Sequence, residues 1–481
     1  MRTRVLSNLI WKYAEKCGAQ LVSLVVSIIL ARLLLPEAYG TVAIIAVFIN
    51  ILGVFIDSGL GNSLIQKKDA DDLDFATVFY TNIIFCVVLY GVLFIAAPYI
   101  ADFYDDPKLN AMIRVLGFTF IISGVKNIQI AYVAKNMLFK RFFFATLGGT
   151  IGAAVIGIGM AYAGYGAWAL IAQSLFNNLV DAIILWITVK WKPKKIFSIN
   201  RLKGLFSFGW KLLASSLLDT VYNNLRTLVI GKAYSAEDLA AYNRGGNWPG
   251  LIVGNINDSI SSVLLPTMSK EQDQLDTVKG ITRQAIKTST YIMAPMLMGL
   301  TFISEPLVRM LLTEKWMVCV PYMRIFCITY LFYPIHTANL SAIKAMGRSD
   351  LFLKLEIIKK IVGLVALAIT VPISVMAMGY SLLFTSLASQ IINSWPNRKL
   401  LNYGYLEQLK DILPGILLAV AMGFCVYPIQ WLGLSDIVTL CIQVSLGAMI
   451  YIAGSVLLKL DSFTYLWGIV SPILKKLCYR K

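Results

Sequence analysis

The 481-residue sequence has little charge: 14% of its residues are charged and 58% are hydrophobic. With a mean hydropathy of +0.71, this composition excludes a soluble globular domain. The alternation of apolar and polar residues that is typical of β-strands is also missing. Apolar runs of about 20 residues recur along the chain instead, which is the length that a transmembrane helix needs. The sequence therefore predicts an all-α polytopic membrane protein.

The sequence also lacks the common motifs of catalysis and nucleotide hydrolysis. It contains no G-x-x-x-x-G-K-[ST], no H-E-x-x-H and no G-x-S-x-G. Its seven cysteines include no C-x-x-C pair, and His336 is its one histidine, which is more typical of a hydrogen-bonded packing residue than of a metal ligand or proton relay. The sequence predicts neither an enzyme nor a site for a metal or an organic cofactor.

About fourteen apolar segments predict transmembrane helices. The first six lie near residues 11–35, 40–61, 75–101, 109–134, 142–163 and 167–189. Six more lie near 208–231, 239–265, 284–312, 321–346, 356–378 and 379–402, and two follow near 412–432 and 437–458. The predicted organisation is an N-terminal six-helix lobe (1–190), a basic cytoplasmic linker (191–207), a C-terminal six-helix lobe (208–402), two additional transmembrane helices (403–458) and a cytoplasmic or interfacial basic tail (459–481). Within this tail, Pro472 should interrupt any long helix.

The net charge of +17 follows a topological pattern. Alternate connections, together with the two termini, hold about 26 basic residues, whereas the opposite side holds about three. This asymmetry explains the charge without nucleic acid as a partner. It predicts a multi-pass membrane protein with both termini in the cytoplasm.

The two halves of the chain repeat each other. The stretch from Trp11 to Gly40 is repeated in a stretch that begins at Trp210. Further similar pairs follow in the same order, including Gly164-Tyr165 and Gly379-Tyr380 in front of the sixth and twelfth helices. Because each half has an even number of helices, the lobes should be related by a pseudo-two-fold axis along the membrane normal.

Polar residues follow one face of the first and seventh predicted helices. The first carries Lys12, Lys16, Gln20, Ser23 and Ser27, and the seventh carries Lys211, Ser215, Asp219, Tyr222 and Arg226 at the same spacing. Charged side chains are costly in hydrocarbon, so such a face needs a hydrated cavity or a partner helix. For the serines, hydrogen bonding between helices explains the pattern equally well, and Lys12 and Lys211 could reach the membrane surface.

The eighth predicted helix is polar along its length, and we expect Gly245-Gly246 and Pro249 to break it. The glycines of the fifth helix, in contrast, have the small-residue spacing of close helix packing. Because basic residues outnumber carboxylates within the helices, an anionic passenger is favoured. Candidates for proton or sodium coupling are Asp57, Asp219 and Asp258, which could equally cap helices or pair with neighbouring cations.

Several short motifs resemble one known family. They are Ile29 to Gly40 (ILARLLLPEAYG), Asp57 to Gly61 (DSGLG), Gly164 to Leu170 (GYGAWAL), Leu265 to Ser269 (LPTMS) and Ala345 to Asp350 (AMGRSD). In combination they are similar to the polysaccharide-export flippases of the multidrug/oligosaccharidyl-lipid/polysaccharide (MOP) exporter superfamily. The resemblance implies two six-helix lobes that move an undecaprenyl-pyrophosphate-linked oligosaccharide across the membrane by alternating access, for exopolysaccharide, capsule or O-antigen assembly.

The resemblance also implies partners and a site. The partners would be the lipid-linked oligosaccharide, membrane lipids, a polysaccharide polymerase and glycosyltransferases. In such folds the first, second, seventh and eighth helices face the cavity, which makes Lys16, Arg226 and Arg244 candidates for the pyrophosphate, followed by Lys12, Arg32, Lys126 and Lys211. Three alternatives stay open: a cation-coupled drug or metabolite antiporter of the same superfamily, a membrane polysaccharide polymerase or ligase, and a scaffold without transport.

Overall fold

The computed structural model describes residues 2–57, 61, 64, 69–136 and 138–478, with the backbone alone at 2–17, 57, 139–141, 205–209, 211–212, 470 and 473–478. Every regular element in this part of the chain is helical. The helices divide between two compact units, Met1–Ala240 and Ala241–Lys481. The all-α prediction is confirmed.

The first unit holds eight complete helices among its described residues. They are α1 (Arg2–Leu33), α2 (Pro36–Asp57), α3 (Asp72–Phe103), α4 (Lys108–Gly117), α5 (Thr119–Lys135), α6 (Phe139–Tyr162), α7 (Ala167–Thr188) and α8 (Ile199–Ala233). Helix α1 packs on α6, α6 packs on α7, and α2 packs on α8. One apolar core lies around Phe75, Phe79 and Trp191, and a second joins Leu30 of α1 to Ala154 of α6.

Helix α9 (Ala236–Lys270) begins in the first unit and continues into the second. The remaining helices are α10 (Leu275–Leu312), α11 (Val320–Tyr330), α12 (Tyr333–Ala345), α13 (Ser349–Thr370), α14 (Val375–Leu400), α15 (Tyr405–Val426), α16 (Asp436–Leu457) and α17 (Asp461–Cys478), with 3₁₀ turns at Glu314–Cys319 and Tyr427–Leu432. Helix α10 is central in this unit, because it packs against α11, α12, α15 and α16.

Ten stretches of the described chain are helical, long and apolar enough to cross a membrane. Two of them, Lys108–Lys135 and Glu314–Ala345, are interrupted helices, each with a break that hydropathy did not predict. The other four predicted crossings correspond to α1, α8, α9 and α13, which carry more charge. The count of fourteen transmembrane helices stays a prediction. The four more charged helices include α1, α8 and α9, on which most of the candidate site was placed.

Local sequence sets most helix ends. Pro36 occupies the first position of α2, where its missing N–H is not needed. Asp71 and Asp74 form a reciprocal capping box at the start of α3. Before α7, Gly164 and Gly166 take positive φ angles of 82° and 55°, which only glycine adopts freely. The turn predicted at Gly164-Tyr165 is therefore present.

Some predicted boundaries are wrong. The turn expected at Gly379 lies earlier, because α13 ends at Thr370 and the Ser374 hydroxyl caps α14 through the Ala377 N–H at 3.0 Å. Helix α9 runs unbroken through Gly245-Gly246 and Pro249. Helix α17 likewise continues through Pro472.

The glycine pair of α9 has a packing role instead. A Cβ atom on Gly245 would lie 2.6 Å from Tyr322 Cβ, and one on Gly246 would lie 3.2 Å from the Phe326 ring. These glycines let α9 approach α11 closely.

Candidate functional site

Helix α8 carries the most continuous polar face among the predicted site residues. Ser215 and Asp219 are exposed, and Tyr222 and Arg226 are partly buried. At a rise of about 1.5 Å per residue, Asp219 and Arg226 lie about 10 Å apart along the helix. The neighbouring Leu218 is also exposed, so the helix presents a carboxylate and a guanidinium beside apolar surface, which suits a ligand with a charged head and an apolar body.

The candidates on α1 cannot all serve one group. Arg32 lies exposed in the last turn of the helix, whereas Lys12 and Lys16 lie toward its beginning, outside the described side chains. Sixteen residues separate Lys16 from Arg32, which is about 24 Å of helix. A single phosphate therefore cannot contact both ends of α1 at once.

Arg244 lies inside the second unit. Its side chain is 8% exposed, and its guanidinium carbon lies 5.0 Å from the centre of the Trp316 ring. A cation in this position interacts with the π face of the indole. In this conformation the guanidinium packs within the protein, so a substrate would have to compete with Trp316 for it.

Lys126 has an internal partner. Its ammonium donates to Asn178 Oδ1 at 2.9 Å and lies 3.6 Å from Asp181 Oδ2. The two charged side chains are 12% and 17% exposed. Lys126 and Asp181 therefore form a shielded ion pair between α5 and α7, which gives Lys126 a structural role that the sequence did not reveal.

Glycines of α6 line the same region. A Cβ atom on Gly149 would lie 2.1 Å from Asp181 Oδ1 and 2.9 Å from Asn177 Oδ1. Gly148, Gly152 and Gly157 also face side chains of α7, which confirms the predicted close packing, whereas nothing lies within 4 Å of a Cβ on Gly159. Gly149 is thus the position at which the backbone of α6 accommodates the carboxylate.

The coupling candidates are divided between the two units. Asp219 on α8 and Asp258 on α9 are exposed, and the side chains of Asp57 and Lys211 lie outside the described ones. His336 Nδ1 is 3.0 Å from Asn393 Nδ2, as expected of a hydrogen-bonded packing residue. The roles of the predicted cations and carboxylates stay predictions.

Sequence reasoning missed a buried amide cluster in the second unit. Asn339 donates to Gln408 Oε1 at 2.8 Å, and Asn397 donates to Asn339 Oδ1 at 2.6 Å. All three side chains are fully buried, and they join α12, α14 and α15. The available signal was the spacing of Gln390, Asn393, Ser394 and Asn397, which places four polar residues on one face of α14.

Fold and side chains together define a multi-pass helical membrane protein that has charged groups within its helices. A family model described as "Polysaccharide biosynthesis protein" matches residues 29–321. The chain belongs to this family.

Two relatives match most of the chain. The teichuronic acid biosynthesis protein TuaB of Bacillus subtilis (strain 168) is 26% identical over 83% of this chain and 84% of its own length. The lipopolysaccharide biosynthesis protein WzxC of Escherichia coli (strain K12) is 23% identical over 77% of this chain and 75% of its own. The family resemblance that the motifs predicted is confirmed.

Solved structures show the same fold. The lipid II flippase MurJ in an inward closed conformation superposes with a TM-score of 0.74, covering 94% of this chain and 98% of that one at 14% identity. An inward-facing multidrug resistance MATE family transporter of the MOP superfamily gives 0.62, covering 80% and 94% at 15% identity. At such identities the likeness establishes the fold alone.

Proposed function

We propose that this protein is a flippase that moves an undecaprenyl-pyrophosphate-linked oligosaccharide across the bacterial cytoplasmic membrane by alternating access. The observation that carries the proposal is the polar face of α8, with Asp219, Tyr222 and Arg226 in a helix of membrane-crossing length. Family membership adds support, because relatives are named for teichuronic acid and lipopolysaccharide biosynthesis. Both termini are cytoplasmic in this proposal, in accordance with the distribution of Lys and Arg.

Arg226 is the cation that we assign to the pyrophosphate. A guanidinium can bind phosphate oxygens through two parallel hydrogen bonds. Its side chain is partly exposed, whereas that of Arg244 is buried. Lys12, Lys16 and Lys211 would attract the headgroup near the cytoplasmic entrance, while Arg32 would act at the opposite membrane surface. A polymerase and glycosyltransferases are proposed partners in the same assembly process.

Charge reversal at Arg226 tests this assignment. In a strain that lacks the chromosomal copy, Arg226→Glu should abolish surface polysaccharide while the protein stays in the membrane at wild-type level. Arg226→Lys should retain part of the activity because it keeps the charge. Lys203→Glu, an exposed position in the first turns of the same helix, is the matched control and should be fully active. Full activity of Arg226→Glu would overturn the assignment.

The site of accumulation separates flipping from other functions. If the protein flips lipid-linked repeat units, these should accumulate on the cytoplasmic face of the deletion strain. A polymerase or ligase would leave them on the periplasmic face. An antiporter would change drug susceptibility without changing the repeat units, and either result would contradict the proposal.

Energy coupling by protons or sodium is part of the proposal, with Asp57, Asp219 and Asp258 as candidates. Replacing Asp219 and Asp258 by Asn should uncouple flipping from an imposed ion gradient in vesicles. Flipping that responds to the gradient equally in the double variant would assign the coupling elsewhere.

A further inference from the structure

The segment that connects α7 to α8, residues 189–198, is held at both ends. Near its beginning Trp191 is buried, and its indole Nε1 donates to Asp72 Oδ1 at 3.2 Å while its carbonyl accepts from Gln129 Nε2 at 3.2 Å. Near its end the Ser198 backbone N–H donates to Thr77 Oγ1 at 3.1 Å. The connecting segment therefore has a defined path along the surface of the first unit.

Acidic neighbours strengthen this attachment. Lys194 Nζ lies 2.6 Å from Asp72 Oδ2, and Arg201 contacts Asp71 at 3.5 Å and the buried Asp74 at 3.6 Å. Lys194 and Arg201 thus serve to fasten the connecting segment to the start of α3.

The connecting segment presents apolar side chains outward beside other lysines. Ile196 is 38% exposed and Phe197 is 50% exposed, and Ile199 at the start of α8 is 54% exposed. Lys192 and Lys195, which precede these residues in the sequence, are also exposed. Lys190, also exposed, extends the basic character.

The position of this surface indicates its partner. Helix α7 is an apolar membrane-crossing helix that ends at Thr188, so the connecting segment begins where the chain leaves the hydrocarbon. Aromatic rings at that level lie among headgroups, and lysines beside them interact with lipid phosphates. Three exposed apolar side chains are far fewer than a stable protein interface buries, whereas they suffice for shallow insertion between lipids.

We propose that the connecting segment is a docking surface for anionic phospholipid headgroups, with Ile196 and Phe197 inserted at the membrane surface and Lys192 and Lys195 against the phosphates. Its function would be to fix the height of the α7–α8 connection relative to the bilayer. This proposal does not depend on the transported substrate.

A lipid-quenching experiment tests the proposal. Phe197→Cys is labelled with the environment-sensitive fluorophore NBD in full-length protein in which Cys17, Cys425, Cys441 and Cys478 are replaced by Ala, since the other cysteines are buried. The protein is placed in nanodiscs of phosphatidylcholine alone or with about one third phosphatidylglycerol, each with a nitroxide-bearing lipid as quencher. The label should be quenched more strongly in the anionic discs. A label at Gln272, exposed in the turn between α9 and α10, should remain unquenched in both.

Charge variants identify the lysines responsible. Each lysine beside an anionic surface contributes a factor of about five in affinity. Lys192→Gln/Lys195→Gln should therefore lower the preference of the connecting segment for anionic over neutral discs by up to about 25-fold. Lys399→Gln/Lys410→Gln removes the same charge from exposed positions elsewhere and should leave the label at residue 197 unaffected. The proposal would be overturned by equal quenching in both lipid mixtures or by an equal effect of the two double variants. It would also be overturned by no quenching at residue 197, which would indicate a surface that faces water or a protein.

Discussion

The Lys126–Asp181 ion pair gives a prediction with a calculable size. Lys126→Met and Asp181→Asn each leave one charged side chain without its partner between α5 and α7. At the 3.6 Å separation of Nζ and Oδ2, opposite unit charges attract by about 5 kcal/mol for an effective dielectric constant of about 20. Desolvation and the remaining Asn178 contact offset part of this. We expect each single variant to lose about 3 kcal/mol of stability and the pair to have a coupling free energy of about 2 kcal/mol.

A double-mutant cycle measures that coupling. Unfolding of the purified full-length protein in one fixed detergent, followed by tryptophan fluorescence, should show that Lys126→Met/Asp181→Asn is little less stable than the weaker single variant. The control cycle is Lys232→Met with Asp105→Asn, a pair at 2.7 Å whose side chains are 41% and 82% exposed. This exposed pair should contribute less than about 1 kcal/mol. Additive effects at Lys126 and Asp181 would refute the ion-pair reasoning.

The same variants distinguish the two roles that Lys126 could have. If the lysine serves mainly to neutralise Asp181, the double variant should recover surface polysaccharide that Lys126→Met loses. If Lys126 binds substrate, removal of Asp181 cannot restore it. A double variant as inactive as Lys126→Met would therefore support the original prediction that Lys126 is a substrate ligand.

Three further predictions concern packing and helix attachment. Gly149→Ala should destabilise the protein because the new Cβ would clash with Asp181 Oδ1. Gly159→Ala on the same helix meets no atom within 4 Å and should be close to neutral. Equal melting temperatures of the two variants would contradict this. Asn339→Leu should cost about 1–3 kcal/mol for each buried amide that it leaves unsatisfied, and denaturant unfolding that matches wild type would contradict it. Asp461→Asn should raise hydrogen exchange in α17, because Asp461 Oδ2 lies 2.7 Å from Lys287 Nζ. The hydrogen bond with Lys287 lowers the pKa of Asp461 below its ordinary 3.8, so the attachment is present above that value and lost only as the pH falls through the lowered pKa. Corrected exchange rates of α17 in the wild type should therefore be equal at pH 5 and pH 7, and a rise at pH 5 would contradict the attachment.

Much of the fold could be predicted because membrane helices are defined by length and hydropathy. In the described part of the chain each predicted segment overlaps a helix, and the turn at Gly164 was recognisable from its glycines. The interruption at Phe118 and the end of α13 at Thr370 could not be predicted in this way, because both lie within apolar sequence. Those boundaries depend on local caps such as Ser374, which hydropathy does not register.

The site was less predictable because a sequence gives the depth of a charge along a helix but not its neighbour. Arg226 and Arg244 looked equivalent as intramembrane cations, yet Arg244 packs over Trp316, more than 70 residues away in the chain. Lys126 was recognised from the sequence as an intramembrane cation, but its pairing with Asp181 depends on how α5 meets α7. Polar spacing along one helix was informative, whereas pairing between helices required the structure.

The most direct test of the proposed flippase is transport by the purified protein. Proteoliposomes containing an undecaprenyl-pyrophosphate-linked oligosaccharide would be assayed for the fraction of sugar that becomes accessible to an enzyme added outside, with Arg226→Glu and protein-free vesicles alongside. We expect exposure to increase with wild-type protein and to fall to the protein-free level with Arg226→Glu. Exposure with wild-type protein that equals that of protein-free vesicles would contradict the proposed function.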